Sequence, residues 1–218
     1  MTFKEMKEDP QVQKMIAVAD RNLEALGYTE HSIKHCMKVA KEADRILETL
    51  GFDKKERELA KIAGLMHDIG NCINRNRHAE YGAILADRIL EQKNMDLEDR
   101  LLIISAIGHH DESTGGANDI ISAALIIADK TDVRRDRVRD KGKANFDIHD
   151  RVNYAVCSSQ LKINKEKKEI SLHLEIDEKI CTMYEYFEIF LGRMMMCRKA
   201  SEILGCTFKL MANGRKVL

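Results

Sequence analysis

The chain has 218 residues, 44% apolar and 33% charged, enough to bury a full core as one domain with a small appendage. Lys plus Arg and Asp plus Glu balance at 36 each, so a basic surface for nucleic acid or an anionic membrane is not indicated, and no apolar run approaches a membrane span. The charged amino terminus is unlike a signal peptide, so a cytoplasmic protein is expected; the six cysteines form no C-x-x-C pair, which argues against a zinc ribbon or a redox dithiol and predicts mostly buried, reduced thiols.

Up to about residue 140 the apolar residues recur at the helical period. Residues 12–26 predict an amphipathic helix stopped by Gly27. A second helix, capped by Thr29 and ended by Gly51, would carry His31 and His35 four apart on one face. Asp53 with Glu56 three residues on predicts a capping box for a third helix, whose apolar run through Ile62 and Met66 closes on His67-Asp68. After a loop around 70–74 comes a helix over 78–90. Asp96 caps the next, which ends at His109-His110. Beyond Gly115-Gly116, residues 120–132 read as a nearly all-apolar helix bearing Asp129.

After about residue 157 the period changes to two. Residues 160–163 and 170–176 flank a polar tract as a hairpin, and 180–204 predict a long helix stopped by Gly205. Residues 207–211 and 215–218 flank Asn213-Gly214, a type I′ turn signal. The predicted class is mainly α: a helical bundle over 1–156 with a small α+β element at 157–218.

The chemistry lies in an ordered series: His31, His35, His67-Asp68, His78, His109-His110 and Asp129. Three apolar helices deliver these residues where the hydrophobic run stops, and polar groups buried there cost several kcal/mol unless paired or metal-bound. Imidazole nitrogens and carboxylate oxygens hold Mn, Fe, Zn, Co or Ni, and several converging donors suggest more than one ion. His149 and His173 read instead as capping or core histidines. Met194-Met-Met196 reads as packing.

The set His35-x-x-x-Val39, Leu65-Met-His67-Asp68-Ile69-Gly70, His78-Ala-Glu-Tyr-Gly82, Ile107-Gly-His109-His110 and Ile127-Ala-Asp129-Lys130 resembles the HD-domain metal-dependent phosphohydrolases over about residues 28–135. The resemblance implies an HD-type helical bundle in which His35, His67, Asp68 and Asp129 hold one ion. It implies a second ion on His78, His109 and His110, with Asp68 bridging, and gives Asp68 and His67 the catalytic role. His31 would join a further ion or support the ligands. The Gly-Tyr-Pro signature of the HD-GYP relatives is absent, which argues against a cyclic dinucleotide. The activity implied is hydrolysis of a phosphoester, in a nucleotide or other small phosphorylated molecule, by a metal-activated water at a dinuclear site. Two divalent ions are expected, Fe or Mn first, with Zn, Co, Ni and Mg as alternatives. Lys130, Arg134 and Arg135 in the basic tract running to Lys141, with Asn71 and Arg77, are the candidate substrate-binding residues. A homo-oligomer is compatible with the sequence. The competing readings are an HD-type di-iron oxygenase and a non-catalytic metal-binding regulatory module.

Overall fold

The computed structural model describes residues 1–139 and 148–217; Lys141 of the basic tract and Leu218 of the last predicted strand lie outside the described residues. In chain order come α1 (Phe3–Glu8), α2 (Pro10–Ala25), α3 (Ile33–Leu50), α4 (Lys54–Met66), a 3₁₀ turn (Ile69–Cys72), α5 (His78–Gln92), α6 (Leu97–Gly108) and α7 (Ile120–Lys130). A second 3₁₀ turn (Arg135–Arg137) and α8 (Ile148–Ala155) lead to β1 (Val156–Asn164), β2 (Glu169–Ile176), α9 (Met183–Ile203), β3 (Thr207–Ala212) and β4 (Arg215–Lys216). The class is mainly α with a small carboxy-terminal α+β element. No helix among the described residues is long and apolar enough to cross a membrane.

Local chemistry explains most boundaries. Asp9 accepts from the Gln11 and Val12 amides ahead of Pro10, starting α2; Asp53 and Glu56 form the expected capping box of α4, and Asp96 caps α6. Two predicted boundaries are corrected. The cap of α3 is Ser32, whose hydroxyl accepts from the Lys34 amide, and His31 donates its own amide to Asp20 Oδ1 at 2.8 Å. His31 therefore precedes the helix instead of sharing a helical face with His35. Similarly α7 stops at Lys130, because Thr131 turns its hydroxyl back to the Ile127 carbonyl, leaving Asp132 in the loop beyond. Helices α1 and α8 were not read from the sequence at all.

The four-stranded sheet has the order β1-β2-β3-β4. The β1/β2 hairpin and the β3/β4 pair are antiparallel, whereas β2 and β3 run parallel, joined by α9. Asn213 and Gly214 both have positive φ, as a type I′ turn requires. One contiguous core runs from Leu47 and Leu65 through Leu125 and Ile127 to Phe190, Met194, Leu172 and Phe208, so the carboxy-terminal element shares its interior with the helices.

Two glycines bring the bundle's inner helices close. A Cβ on Gly64 of α4 would lie 2.8 Å from Ala40 Cα on α3, and one on Gly70 would lie 2.0 Å from the His78 carbonyl oxygen at the start of α5. Side chains there would force apart the segments that carry His35, His67 and His78.

Candidate metal centre

The inner ends of α3 to α7 meet at one cluster. His35 comes from α3 and His67-Asp68 from the end of α4. His78 opens α5, His110 follows α6, and Asp129 lies in the last turn of α7. Four of these, His35, His67, Asp68 and His110, are almost completely buried, as is His78. Asp129 Oδ1 lies 3.3 Å from His35 Nε2 and 3.7 Å from His67 Nε2. The two oxygens of Asp68 face different imidazoles. Oδ2 is 3.1 Å from His67 Nε2 and 3.8 Å from His35 Nε2, while Oδ1 is 3.7 Å from His78 Nε2 and 3.9 Å from His110 Nε2.

Every imidazole is turned by its other nitrogen. Nδ1 of His67, His78 and His110 faces the carbonyls of Gly64, Arg75 and Ile107 at 2.9, 3.2 and 2.6 Å, and Nδ1 of His35 faces Asp132 Oδ2 at 2.8 Å. Carbonyl and carboxylate oxygens only accept, so the proton sits on Nδ1 and the Nε2 lone pair points inward. His78 Nε2 and His110 Nε2 are thus two bare acceptors facing each other at 3.2 Å. His35 Nε2, His67 Nε2 and Asp68 Oδ2 are buried without a hydrogen-bond partner; the 3.1 Å contact between the last two is close but not aligned as a hydrogen bond. Buried, unsatisfied acceptors of this kind are costly. A divalent ion satisfies them, since ligands at about 2.1 Å from one ion stand roughly 3.0–3.4 Å apart. The residues fit metal, and two groups of atoms could each hold an ion: His35, His67 and Asp129, and His67, Asp68 and His110.

The charges agree with this. Burial would raise the carboxyl of Asp68, but the neighbouring imidazoles, His67 first, hold it well below the usual range. Burial opposes ionisation of Asp129 too, and Lys130 and His35 outweigh it. Burial, with the charges of His67 and His78, pushes His110 down to about 3, so it stays neutral and able to bind an ion. His67 moves the other way, because Asp68 outweighs its burial.

Several sequence expectations change. His109 is exposed, caps α6 and lies outside both converging groups. Successive residues near a helix end diverge by about 100°, so the doublet turns one ring inward and the other out. His31 stands at the cluster's rim, its ring 5.5 Å from that of His35 and its Nδ1 facing the Thr29 carbonyl at 2.6 Å. Of the proposed substrate residues, Lys130 lines the cleft, its Nζ 2.8 Å from Asp129 Oδ2. Asn71 instead donates to Asp68 Oδ1 at 2.9 Å and fixes that carboxylate. Arg134 pairs with Asp132 and Asp136, and Arg135 stacks on Tyr154 and donates to its carbonyl, so neither lines the cleft. Arg77 is exposed beside a neighbouring cleft.

Asp132 is the functional residue most clearly missed. It is buried, bonds His35 Nδ1, and is flanked by Lys38 at 2.6 Å and Arg134 at 2.6 Å. Burial would raise its carboxyl, but His35 first, then Arg137 and Arg134, hold it far below the ordinary value. A carboxylate behind a ligating histidine fixes ring orientation and raises basicity. The signal available was its place three residues after Asp129, at a helix end.

A cleft of about 360 Å³ opens over the cluster, reaching Asp68, His78, His110 and Asp129. Its wall includes Arg137, His149, Asn153 and Arg193, all past residue 134. His149 is therefore an exposed cleft residue, not a core histidine. Tyr28 also lines it, with the Arg75 guanidinium 5.2 Å over its ring.

The family model of the HD domain matches residues 32–134. Among curated proteins the chain is similar to ribonuclease Y of Enterococcus faecalis, 31% identical over 123 residues, which are 55% of this chain and 21% of that protein. It is similar also to ribonuclease Y of Bacillus subtilis, 32% identical over 123 residues, again 55% of this chain and 21% of the relative. The ribonuclease Y of Deinococcus radiodurans is 34% identical over 110 residues, 45% of this chain and 17% of its own. The chain spans about a fifth of the length of these relatives. Among solved structures it overlaps a predicted HD superfamily hydrolase from an uncultured Thermotogales bacterium, with 25% identity and a TM-score of 0.44 over 62% of this chain and 75% of that one. The likeness to the HD-domain family is carried by residues 32–134, a little under half of the chain.

Proposed function

We propose that this chain is a metal-dependent phosphohydrolase that cleaves a phosphoester of a nucleotide or similar small phosphorylated molecule. The observation that carries the reading is the placement of Asp68 between two pairs of inward-facing imidazoles, one at each oxygen. His35, His67, Asp68 and Asp129 would hold one divalent ion, and Asp68, His78 and His110 a second. Ions so held supply Lewis acidity that acidifies a water nucleophile and draws charge from phosphoryl oxygens. The chain's own part is positioning. Asn71 clamps Asp68, Asp132 aims His35, and the closed floor beneath the donors keeps bulk water away. Lys130 and Arg75 stand in the cleft wall where substrate phosphate would lie.

The names of the relatives favour a second reading, cleavage of RNA phosphodiesters. It gains support from a neighbouring cleft of about 770 Å³ that shares Tyr28, Arg75, His78 and Glu112 with the first and gives room for a longer strand. The balanced charge of the chain favours the small substrate, since RNA binding rests on excess cationic surface.

The test is metal analysis of protein purified without chelator, then anaerobic assay with Mn²⁺ or Fe²⁺ over nucleotides, dinucleotides and oligoribonucleotides. Hydrolysis should incorporate ¹⁸O from solvent water into product, and Asp68→Ala should lose both ions and turnover. Turnover that consumes dioxygen, with no phosphoester cleaved anywhere in the panel, overturns the proposal in favour of an oxygenase.

A further inference from the structure

The cleft extends beyond the cluster, and its far wall belongs to segments outside the HD domain. Arg137 follows α7 and is buried. Its Nε donates to the Glu30 carbonyl at 3.0 Å and its Nη1 to the Asp132 carbonyl at 2.9 Å, with Asp132 Oδ2 3.8 Å from the same Nη1. Arg193 projects from α9, its guanidinium 4.5 Å over the Phe190 ring and its Nε donating to Glu112 Oε2 at 2.8 Å. Both arginines and Lys130 line the same cleft. Cys197, one turn beyond Arg193 on α9, is buried in the core that α9 shares with α7, which ties α9 to the helix that carries Asp129 and Lys130.

Among the described residues the cleft carries as many cationic as acidic side chains. Two divalent ions would then leave roughly four positive charges in excess, more than one phosphate dianion neutralises. Arg193 is held by Glu112 in a partly exposed pair, the kind of contact that contributes little and exchanges readily. Arg137, by contrast, is fixed in place by backbone carbonyls.

We infer that Lys130, Arg137 and Arg193 form a second anion subsite in this cleft, engaged when Arg193 leaves Glu112, so that the substrate carries a phosphate group besides the one that is cleaved. The inference rests on the phosphohydrolase reading and narrows its substrate class to molecules with two phosphates, contiguous or separated. It also gives the carboxy-terminal element a role, since α9 supplies the arm.

The test uses binding, not turnover. AMP, ADP and adenosine 3′,5′-bisphosphate are titrated calorimetrically into protein loaded with Ca²⁺ in place of a transition metal, with phosphate release checked as absent, so that affinity is read apart from turnover. One of the two doubly phosphorylated probes should bind at least about tenfold more tightly than AMP, as one charge-assisted contact provides. Arg193→Ala should close that gap while changing AMP less than about twofold, and Glu112→Gln should widen it by freeing Arg193. Equal affinity for all three probes overturns the inference. So does a matched loss for every probe in both variants together with a lower Tm, the mark of a structural tie. Should Arg193→Ala fail to fold, Arg193→Lys and Glu112→Gln decide the matter: a narrowed gap in the first and a widened one in the second support the subsite, and no change in either overturns it.

Discussion

At the scale of single residues, the cluster depends on groups that never face its centre. Asp132 holds His35 by Nδ1 and neutralises Lys38 and Arg134 at once. Asp132→Asn should weaken ion binding at the His35 position about 10–100-fold, read by competitive metal titration. It should also cost about 3 kcal/mol, because the cations are left without their partner. The sign with pH follows from the depressed carboxyl: its contribution is complete above the unfolded value near 4 and drains away as pH falls below that. The stability gap between wild type and Asp132→Asn, measured in urea, should therefore be widest near neutrality and narrow below about pH 4. A gap independent of pH would show that the ionised carboxylate contributes no stability of its own. The histidine doublet gives a sharper contrast. His110→Ala should lose one ion by elemental analysis, and His109→Ala should keep the full complement, since only the first is buried in the cluster.

At the scale of elements, the spacing of donors is set by how closely helices approach. Gly70 lets the first turn of α5 sit against the turn after α4, which brings His78 Nε2 to 3.7 Å from Asp68 Oδ1. Gly70→Ala would drive a Cβ into the His78 carbonyl oxygen and the Gly82 nitrogen, both backbone atoms that no rotamer change can clear. Overpacking of this kind costs about 1–3 kcal/mol or more. The variant should melt earlier and bind the second ion more weakly than the first, by differential titration. Equal weakening of both ions would mean that α5 is not what sets the second position. Gly64 works in the same way between α4 and α3, which keeps His35 and His67 within reach of one carboxylate.

At the scale of the whole molecule, the carboxy-terminal element cannot be lifted off. Phe190 and Met194 of α9 and Phe208 of β3 are buried in the same core as Leu125 and Ile127 of α7. Each such side chain contributes about 1.5–3 kcal/mol by leaving water. A chain cut after residue 156 should therefore lose cooperative urea unfolding and bind a hydrophobic dye, although its HD segment is complete. If the shortened chain unfolds cooperatively and takes up two ions, α9 is an accessory and not part of the fold.

The candidate metal ligands and the starts of several helices were legible in the sequence, because both signals are local. A polar donor at the end of an apolar run is visible in a few residues, and Asp53-Glu56 or Asn213-Gly214 act on their own backbone. The structure gathers that string of donors, His109 and the rim residue His31 excepted, into one cluster. The rest depended on how segments distant in the chain pack together. Asp132 looked like one charge in a solvated tract, since alternating signs along a chain say nothing about burial by distant helices. The choice between His109 and His110 depended on the phase at which α6 ends. The parallel pairing of β2 with β3, and with it the placement of α9, joins segments that share no local signal. Arg193 entered the cleft for the same reason: packing of apolar faces fixed where α9 lies, and Arg193 was carried along.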